Sequence, residues 1–161
     1  EYEKNVELQL GYRTQMATKP VTLAYSMVNN PIGIAAWIIE KFHAWSDLKK
    51  DDLFETFSKD ELINNLMIYL LTNTFESSSW IYYGRRLEGG RILSRDPNKK
   101  IKVPTACALF PKEFMTWPPR SYVERLFNLK QWTKMTNGGH FAALEEPYLL
   151  AKDIKEFFKK I

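Results

Sequence analysis

The sequence predicts a fold of the α/β class, with a helical first part and a short parallel sheet in the second part. Residues 1–97 carry apolar side chains at helical spacing, interrupted by caps and prolines. Residues 98–161 contain two short apolar runs separated by a helix signal, the pattern of a βαβ unit. Apolar residues repeat amphipathically over Pro147–Phe158 and predict a last helix that packs on this sheet.

Prolines and polar caps place the helices at the start of the chain. Thr18-Lys19-Pro20 offers a cap and a proline for a helix over residues 21–28. Asn29-Asn30-Pro31 ends that helix and begins the next, which continues to about Phe42.

The clearest helix signal in the sequence is a capping box. Ser58 is followed three residues later by Glu61, and this pair predicts a helix over residues 62–83. Residues 45–57 before it are charged and irregular, and residues 85–100 contain the glycines and the proline of a loop.

The second region contains two predicted strands. The first covers Ile101–Phe110, where Pro104 is tolerable only near the start, and the second covers residues 130–136. Pro118-Pro119-Arg120 opens a helix between them that ends at Leu126. Parallel strands need covered faces and neighbours at their edges, so we expect these two to be the last strands of a larger sheet whose remainder lies outside the chain.

Composition excludes several functions. The 161 residues are 45% hydrophobic, and the net charge of +4 comes from scattered basic residues, so nucleic acid is not an expected partner. The single Cys107 forms no internal disulfide and is expected to be buried, which suits a reducing, cytoplasmic location. The longest apolar stretch, residues 32–45, is interrupted by charged residues and shorter than the ~18 residues of a membrane span.

Two residues at predicted strand ends can form a catalytic pair. Glu113 follows the first strand, and His140 follows the second after the turn Gly138-Gly139. Carboxyl ends of parallel strands share one edge, where such sheets place catalytic groups. A carboxylate that accepts the Nδ1 hydrogen of a histidine prepares the other ring nitrogen to take a proton from water. The only other histidine, His43, lies in a helix and is read as surface or packing, so no metal or cofactor site is predicted.

The stretch Gly138-Gly139-His140-Phe141-Ala142-Ala143-Leu144-Glu145-Glu146-Pro147 resembles the histidine loop of the microsomal-type epoxide hydrolases, a branch of the α/β-hydrolase superfamily. Phe110-Pro111-Lys112-Glu113 is similar to the phrase that carries the acid in that family. The resemblance implies a helical cap at 1–97, followed at 98–161 by the last βαβα segment of an α/β-hydrolase core.

The same resemblance implies a site shared by four residues. Tyr12 and Tyr82 are similar to the family's two cap tyrosines, whose phenols hold the epoxide oxygen, and Tyr83 is the alternative to Tyr82. Glu113 and His140 would be the acid and the base. Most tyrosines in a chain are packing residues, and packing remains the alternative for either phenol.

The activity that the resemblance implies is conversion of small apolar epoxides to vicinal diols through a covalent ester, with water as co-substrate and no cofactor. Motifs similar to the family's nucleophile elbow, Gly-Gly-Asp-Trp-Gly, and oxyanion loop, His-Gly-Trp-Pro, are not found. We therefore expect the nucleophilic Asp to lie outside this chain and the chain alone to be inactive. The alternatives are a fragment of a haloalkane dehalogenase or esterase, and a non-catalytic helical interaction module.

Overall fold

A computed structural model describes residues 2–89 and 99–161. They form two compact units, one made of residues 2–44 and 57–89, the other of residues 45–56 and 99–161. Residues 45–56, predicted to be irregular, therefore pack with the strand-containing unit.

The first unit is helical, as the sequence predicts. Its helices are α1 (Tyr2–Thr18), α2 (Pro20–Met27), α3 (Pro31–Trp45), α5 (Lys59–Thr72) and α6 (Phe75–Leu87). The second unit begins at Trp45 and contains a 3-10 helix (Lys49–Asp51), α4 (Leu53–Thr56), β1 (Ile101–Leu109), α7 (Arg120–Leu126), β2 (Phe127–Lys134), α8 (Ala142–Glu145) and α9 (Pro147–Phe158).

Apolar side chains from four helices form the core of the first unit. The helices α1 and α2 both pack on α6, and α3 adds a further side chain to the same cluster. The buried members are Met16, Leu23, Met27, Ile34 and Phe75. Tyr12 and Tyr82 pack against this cluster and are half-buried.

The capping box predicted at Ser58 is confirmed. The Glu61 amide donates to Ser58 Oγ over 3.2 Å, and the Ser58 amide donates to Glu61 Oε2 over 2.8 Å. The cap predicted at Thr18 is wrong, because the Thr18 hydroxyl instead donates to the Thr14 carbonyl, 2.7 Å away within α1. Lys19 occupies the capping position of α2 without a side-chain hydrogen bond, and Pro20 starts the helix.

The prediction of one helix over residues 62–83 is also wrong. The chain forms two helices there, because Asn73 adopts the left-handed conformation (φ 52°, ψ 37°) and ends α5. Asparagine tolerates this conformation better than most residues, so a helix can end at it without glycine or proline. The following helix α6 runs to Leu87, three residues into the predicted loop; most of the remaining loop, residues 90–98, lies outside the described residues.

The two strands pair in parallel, as predicted. Ile101 pairs with Phe127 and Leu109 with Lys134, with a register shift between Ile101 and Pro104 that accommodates the proline near the start of β1. The bounds predicted for the second strand are wrong by about three residues at its start, since α7 runs directly into β2 without a loop. Within the described part of the chain this is a sheet of two strands.

The predicted C-terminal helix is confirmed as α9, which packs on both strands. Gln131, buried in β2, ties the helix to the sheet by donating to the Asp153 carbonyl over 2.9 Å. Cys107 in β1 is half-buried rather than buried, and desolvation raises the pKa of its thiol. No helix among residues 2–89 and 99–161 is long and apolar enough to span a membrane.

Candidate active site

Glu113 and His140 lie side by side on the loops that follow β1 and β2. Nδ1 of His140 is 3.0 Å from both carboxylate oxygens of Glu113. The two loops are also joined through their backbones, because the Lys112 amide donates to the Gly138 carbonyl over 3.1 Å. The predicted proximity of the two side chains is therefore confirmed.

The pair has the geometry of a histidine oriented by a carboxylate. When Nδ1 carries the proton, it donates to Glu113, and Nε2 is then the basic ring nitrogen. The Glu113 side chain is 14% exposed, whereas that of His140 is 33% exposed. A shielded acid and a more accessible imidazole suit general-base catalysis, in which a carboxylate stabilises the imidazolium formed when Nε2 takes a proton.

Aromatic rings surround the imidazole within this unit. The Trp45 ring lies edge-on to His140 with centroids 5.0 Å apart, and it stacks on Phe114 at 4.4 Å. The Phe141 ring also lies edge-on to the imidazole, with centroids 5.2 Å apart. These rings limit the orientations open to His140, and the buried Trp45 is the last residue of α3.

The glycine pair before His140 is required by the local geometry. Gly138 has a φ of 101°, in the region that favours glycine, and a Cβ on it would lie 2.7 Å from Phe110 Cδ1. A Cβ on Gly139 would lie 2.5 Å from the Trp45 carbonyl oxygen. The glycines therefore let the histidine loop turn and approach the backbone of residues 45–47.

Sequence reasoning missed the groups that hold this loop, which are Trp45, Asp47, Phe114 and Glu145. Glu145 is buried, and its carboxylate accepts backbone hydrogen bonds from Asp47, Gly139 and Phe141. A glutamate in the run Leu144-Glu145-Glu146 carries no signal of burial, since such residues are mostly exposed.

The two predicted tyrosines form a second pair, in the helical unit. The rings of Tyr12 on α1 and Tyr82 on α6 meet edge to face with centroids 5.6 Å apart, and their phenols are hydrogen-bonded. Tyr83, the alternative, instead lies edge-on to Trp80 at 5.5 Å. The structure brings Tyr12 together with Tyr82 and Glu113 together with His140; that all four serve one site stays a prediction.

The environment keeps the Tyr12 phenol protonated. Burial raises its pKa well above the ordinary value near 10, and the neighbouring Tyr82 raises it further. The Lys41 ammonium lies 5.1 Å from the centre of the Tyr12 ring, a cation-π distance. Tyr12 is therefore a neutral hydrogen-bond donor throughout the physiological pH range.

The part of the chain that the structure describes contains no cluster of metal ligands. Among residues 2–89 and 99–161, no three His, Cys, Asp or Glu side chains are grouped as metal ligands. His43 is exposed in the last turn of α3, in agreement with the prediction that it is a surface residue.

Comparison with known proteins gives relatives of one kind. The chain is 41% identical over 155 residues to juvenile hormone epoxide hydrolase 2 of Ctenocephalides felis, a match that covers 93% of the chain and 33% of that protein. It is 40% identical over 152 residues to epoxide hydrolase 1 of Oryctolagus cuniculus, covering 91% of the chain and 33% of the relative. No protein-family model matches the chain.

Solved structures agree with these relatives. The juvenile hormone epoxide hydrolase of the silkworm Bombyx mori superimposes with a TM-score of 0.86 at 27% identity, over 99% of this chain and 39% of that one. The chain is a homologue of the epoxide hydrolases. The Aspergillus niger epoxide hydrolase superimposes with a TM-score of 0.76 at 26% identity, over 99% of this chain and 38% of that one.

The relationship to the epoxide hydrolases also identifies the fold. The helices and the small parallel sheet are part of an α/β-hydrolase fold. The chain spans about a third of the length of the curated epoxide hydrolases that it matches.

Proposed function

We propose that this chain is the C-terminal part of an epoxide hydrolase, with residues 1–97 as the helical cap and residues 98–161 as the last part of the core. The whole enzyme converts an epoxide to a vicinal diol. The observation that carries the proposal is the contact of His140 Nδ1 with both oxygens of Glu113, at the carboxyl ends of two parallel strands.

The reaction has two steps, and the first is formation of a covalent ester. An aspartate outside this chain attacks a ring carbon of the epoxide, and the C–O bond to that carbon breaks. Tyr12 and Tyr82 donate hydrogen bonds to the oxygen that becomes negatively charged, and one phenol gives it a proton. Tyr12 is protonated at neutral pH, as a hydrogen-bond donor must be before the ring opens.

Hydrolysis of the ester is the second step. Nε2 of His140 takes a proton from water, and the resulting hydroxide attacks the ester carbonyl, which releases the diol and regenerates the aspartate. The imidazolium then releases its proton and the phenolate formed in the first step regains one, so no net proton is gained or lost over the cycle. Glu113 orients the imidazole and stabilises its positive charge. The substrates are a small apolar epoxide and water, and no cofactor takes part.

The experiment that tests this function is diol formation by the full-length enzyme and its Glu113→Gln variant. We expect the variant to lower kcat by about two to four orders of magnitude, by analogy with loss of the acid from a triad. The matched control is Glu124→Gln, because Glu124 is an exposed carboxylate that pairs with Arg120 on α7. Equal rates for wild type and Glu113→Gln, or no epoxide hydrolysis by the wild type, would contradict the proposal.

A further inference from the structure

The histidine loop is held through its backbone as well as through the His140 side chain. Each of the four backbone amides of residues 138–141 donates a hydrogen bond, and none of these bonds belongs to a helix or to the pairing of strands. The bonds are Gly138 to Asp47 Oδ2 (2.9 Å), Gly139 to Glu145 Oε2 (2.8 Å), His140 to the Trp45 carbonyl (2.9 Å) and Phe141 to Glu145 Oε1 (2.8 Å).

Glu145 accepts more of these bonds than any other group of this set. Its two oxygens accept the amides on either side of His140, and Oε2 also accepts the Asp47 amide over 2.7 Å. The side chain is buried, with 6% of the residue exposed. A carboxylate has enough lone pairs to accept all three bonds, and a glutamate is almost never fully buried unless its charge has such partners.

Glu145 also joins two distant parts of the chain. The amide of Asp47 and the amide of Gly139 donate to the same oxygen, and the Asp47 carboxylate in turn accepts the Gly138 amide. These bonds hold residues 138–141 against residues 45–47, and the Trp45 ring contacts the imidazole of His140. The position of His140 over Glu113 therefore depends on Glu145.

We propose that Glu145 is a positioning residue for the hydrolytic step: it fixes the backbone on both sides of His140 so that the imidazole meets Glu113 and water. The inference rests on the proposed function and adds a residue to it. Both Glu145 oxygens accept backbone amides, so the residue acts through the loop. Its loss should slow the step that uses His140 and spare the step that uses the phenols.

Glu145→Gln is the sharpest variant because it preserves size and changes only the acceptors. The glutamine side chain has one oxygen that accepts and one NH2 group that donates. At least one of the three backbone N–H groups that donate to Glu145 would then face the NH2 group instead of an oxygen. The matched control is Glu146→Gln, the same change at the next residue, whose carboxylate is not an acceptor for the four loop amides.

The test is single-turnover kinetics of the full-length enzyme, with rapid-quench measurement of the formation and decay of the covalent ester. We expect Glu145→Gln to form the ester at the wild-type rate and to hydrolyse it about 10- to 100-fold more slowly, the effect of a displacement near 1 Å. Glu146→Gln should match the wild type in both steps. A residue that serves only folding would lower the amplitude of ester formation and leave both rate constants unchanged.

The outcomes separate this inference from the proposed function. A wild type that forms no ester contradicts the proposed function, whereas a normal wild type with unchanged decay in Glu145→Gln contradicts the positioning role alone. Equal slowing of both steps also overturns that role. If Glu145→Gln does not fold, Glu145→Asp replaces it, because a side chain one methylene shorter keeps the charge and withdraws both oxygens from the Gly139 and Phe141 amides; selective slowing of decay then supports the inference, and unchanged decay overturns it.

Discussion

The steric effect of the substitution Gly139→Ala follows directly from the structure. A Cβ at this position would lie 2.5 Å from the Trp45 carbonyl oxygen and 3.0 Å from the Asp47 amide nitrogen. Ordinary contact begins near 3.4 Å, so the loop and this backbone must separate by about 0.9 Å (3.4 − 2.5). Both neighbouring atoms are backbone, and no side-chain rotation can relieve the overlap.

The displacement should act on His140, because its own amide donates to the same Trp45 carbonyl. A misplacement of about 1 Å can cost about 100-fold in rate, and overpacking of this kind costs about 1–3 kcal/mol of stability. We therefore expect Gly139→Ala to slow ester hydrolysis in the full-length enzyme by about 100-fold while the ester still forms.

Rapid-quench measurement of ester formation and decay is the assay for Gly139→Ala. The control is Gly84→Ala in α6, where an added Cβ meets no atom within 4 Å and alanine favours the helix. A folded Gly139→Ala variant with the wild-type rate of ester decay would refute the claim that this close approach positions His140.

Two further predictions concern the tyrosine pair. Tyr12→Phe and Tyr82→Phe should each slow ester formation more than ester decay in single-turnover experiments, because the phenols stabilise charge that develops as the ring opens; unchanged formation in both would leave the residues as packing. The raised pKa of Tyr12 should appear in a spectrophotometric titration as a tyrosine that stays protonated above pH ~10 and is absent from Tyr12→Phe. The pKa of Tyr12 is higher in the folded protein than in the unfolded chain, so the stability that the protonated phenol contributes is complete below pH ~10 and is lost as the pH rises further. Above pH ~10 the free energy of unfolding should therefore fall more steeply for the wild type than for Tyr12→Phe.

The elements that position the acid and the base could be predicted from local signals in the sequence. The apolar runs predicted both strands, the second of them about three residues late at its start, and the amphipathic repeat and the glycine pair predicted the final helix and the turn. Parallel strands then brought Glu113 and His140 to one edge, which is a consequence of topology rather than of any single residue.

Other features depend on contacts that no local pattern records. The helix break at Asn73 lies in the run Thr72-Asn73-Thr74, which contains neither glycine nor proline, and the left-handed conformation of Asn73 ends α5 there. The start of β2 was misplaced because α7 passes into it without a polar loop. The burial of Glu145 arises from donors almost a hundred residues away in the chain as well as from its own loop.

The central claim is that His140 is the base that hydrolyses a covalent ester, and His140→Gln tests it most directly. The full-length variant is mixed with an excess of epoxide, and the mass of the intact protein is followed over time. The account predicts that the mass rises by that of one epoxide and remains raised, whereas the wild type returns to its original mass as diol is released. A variant that never gains this mass, or that loses it as fast as the wild type, would contradict the account.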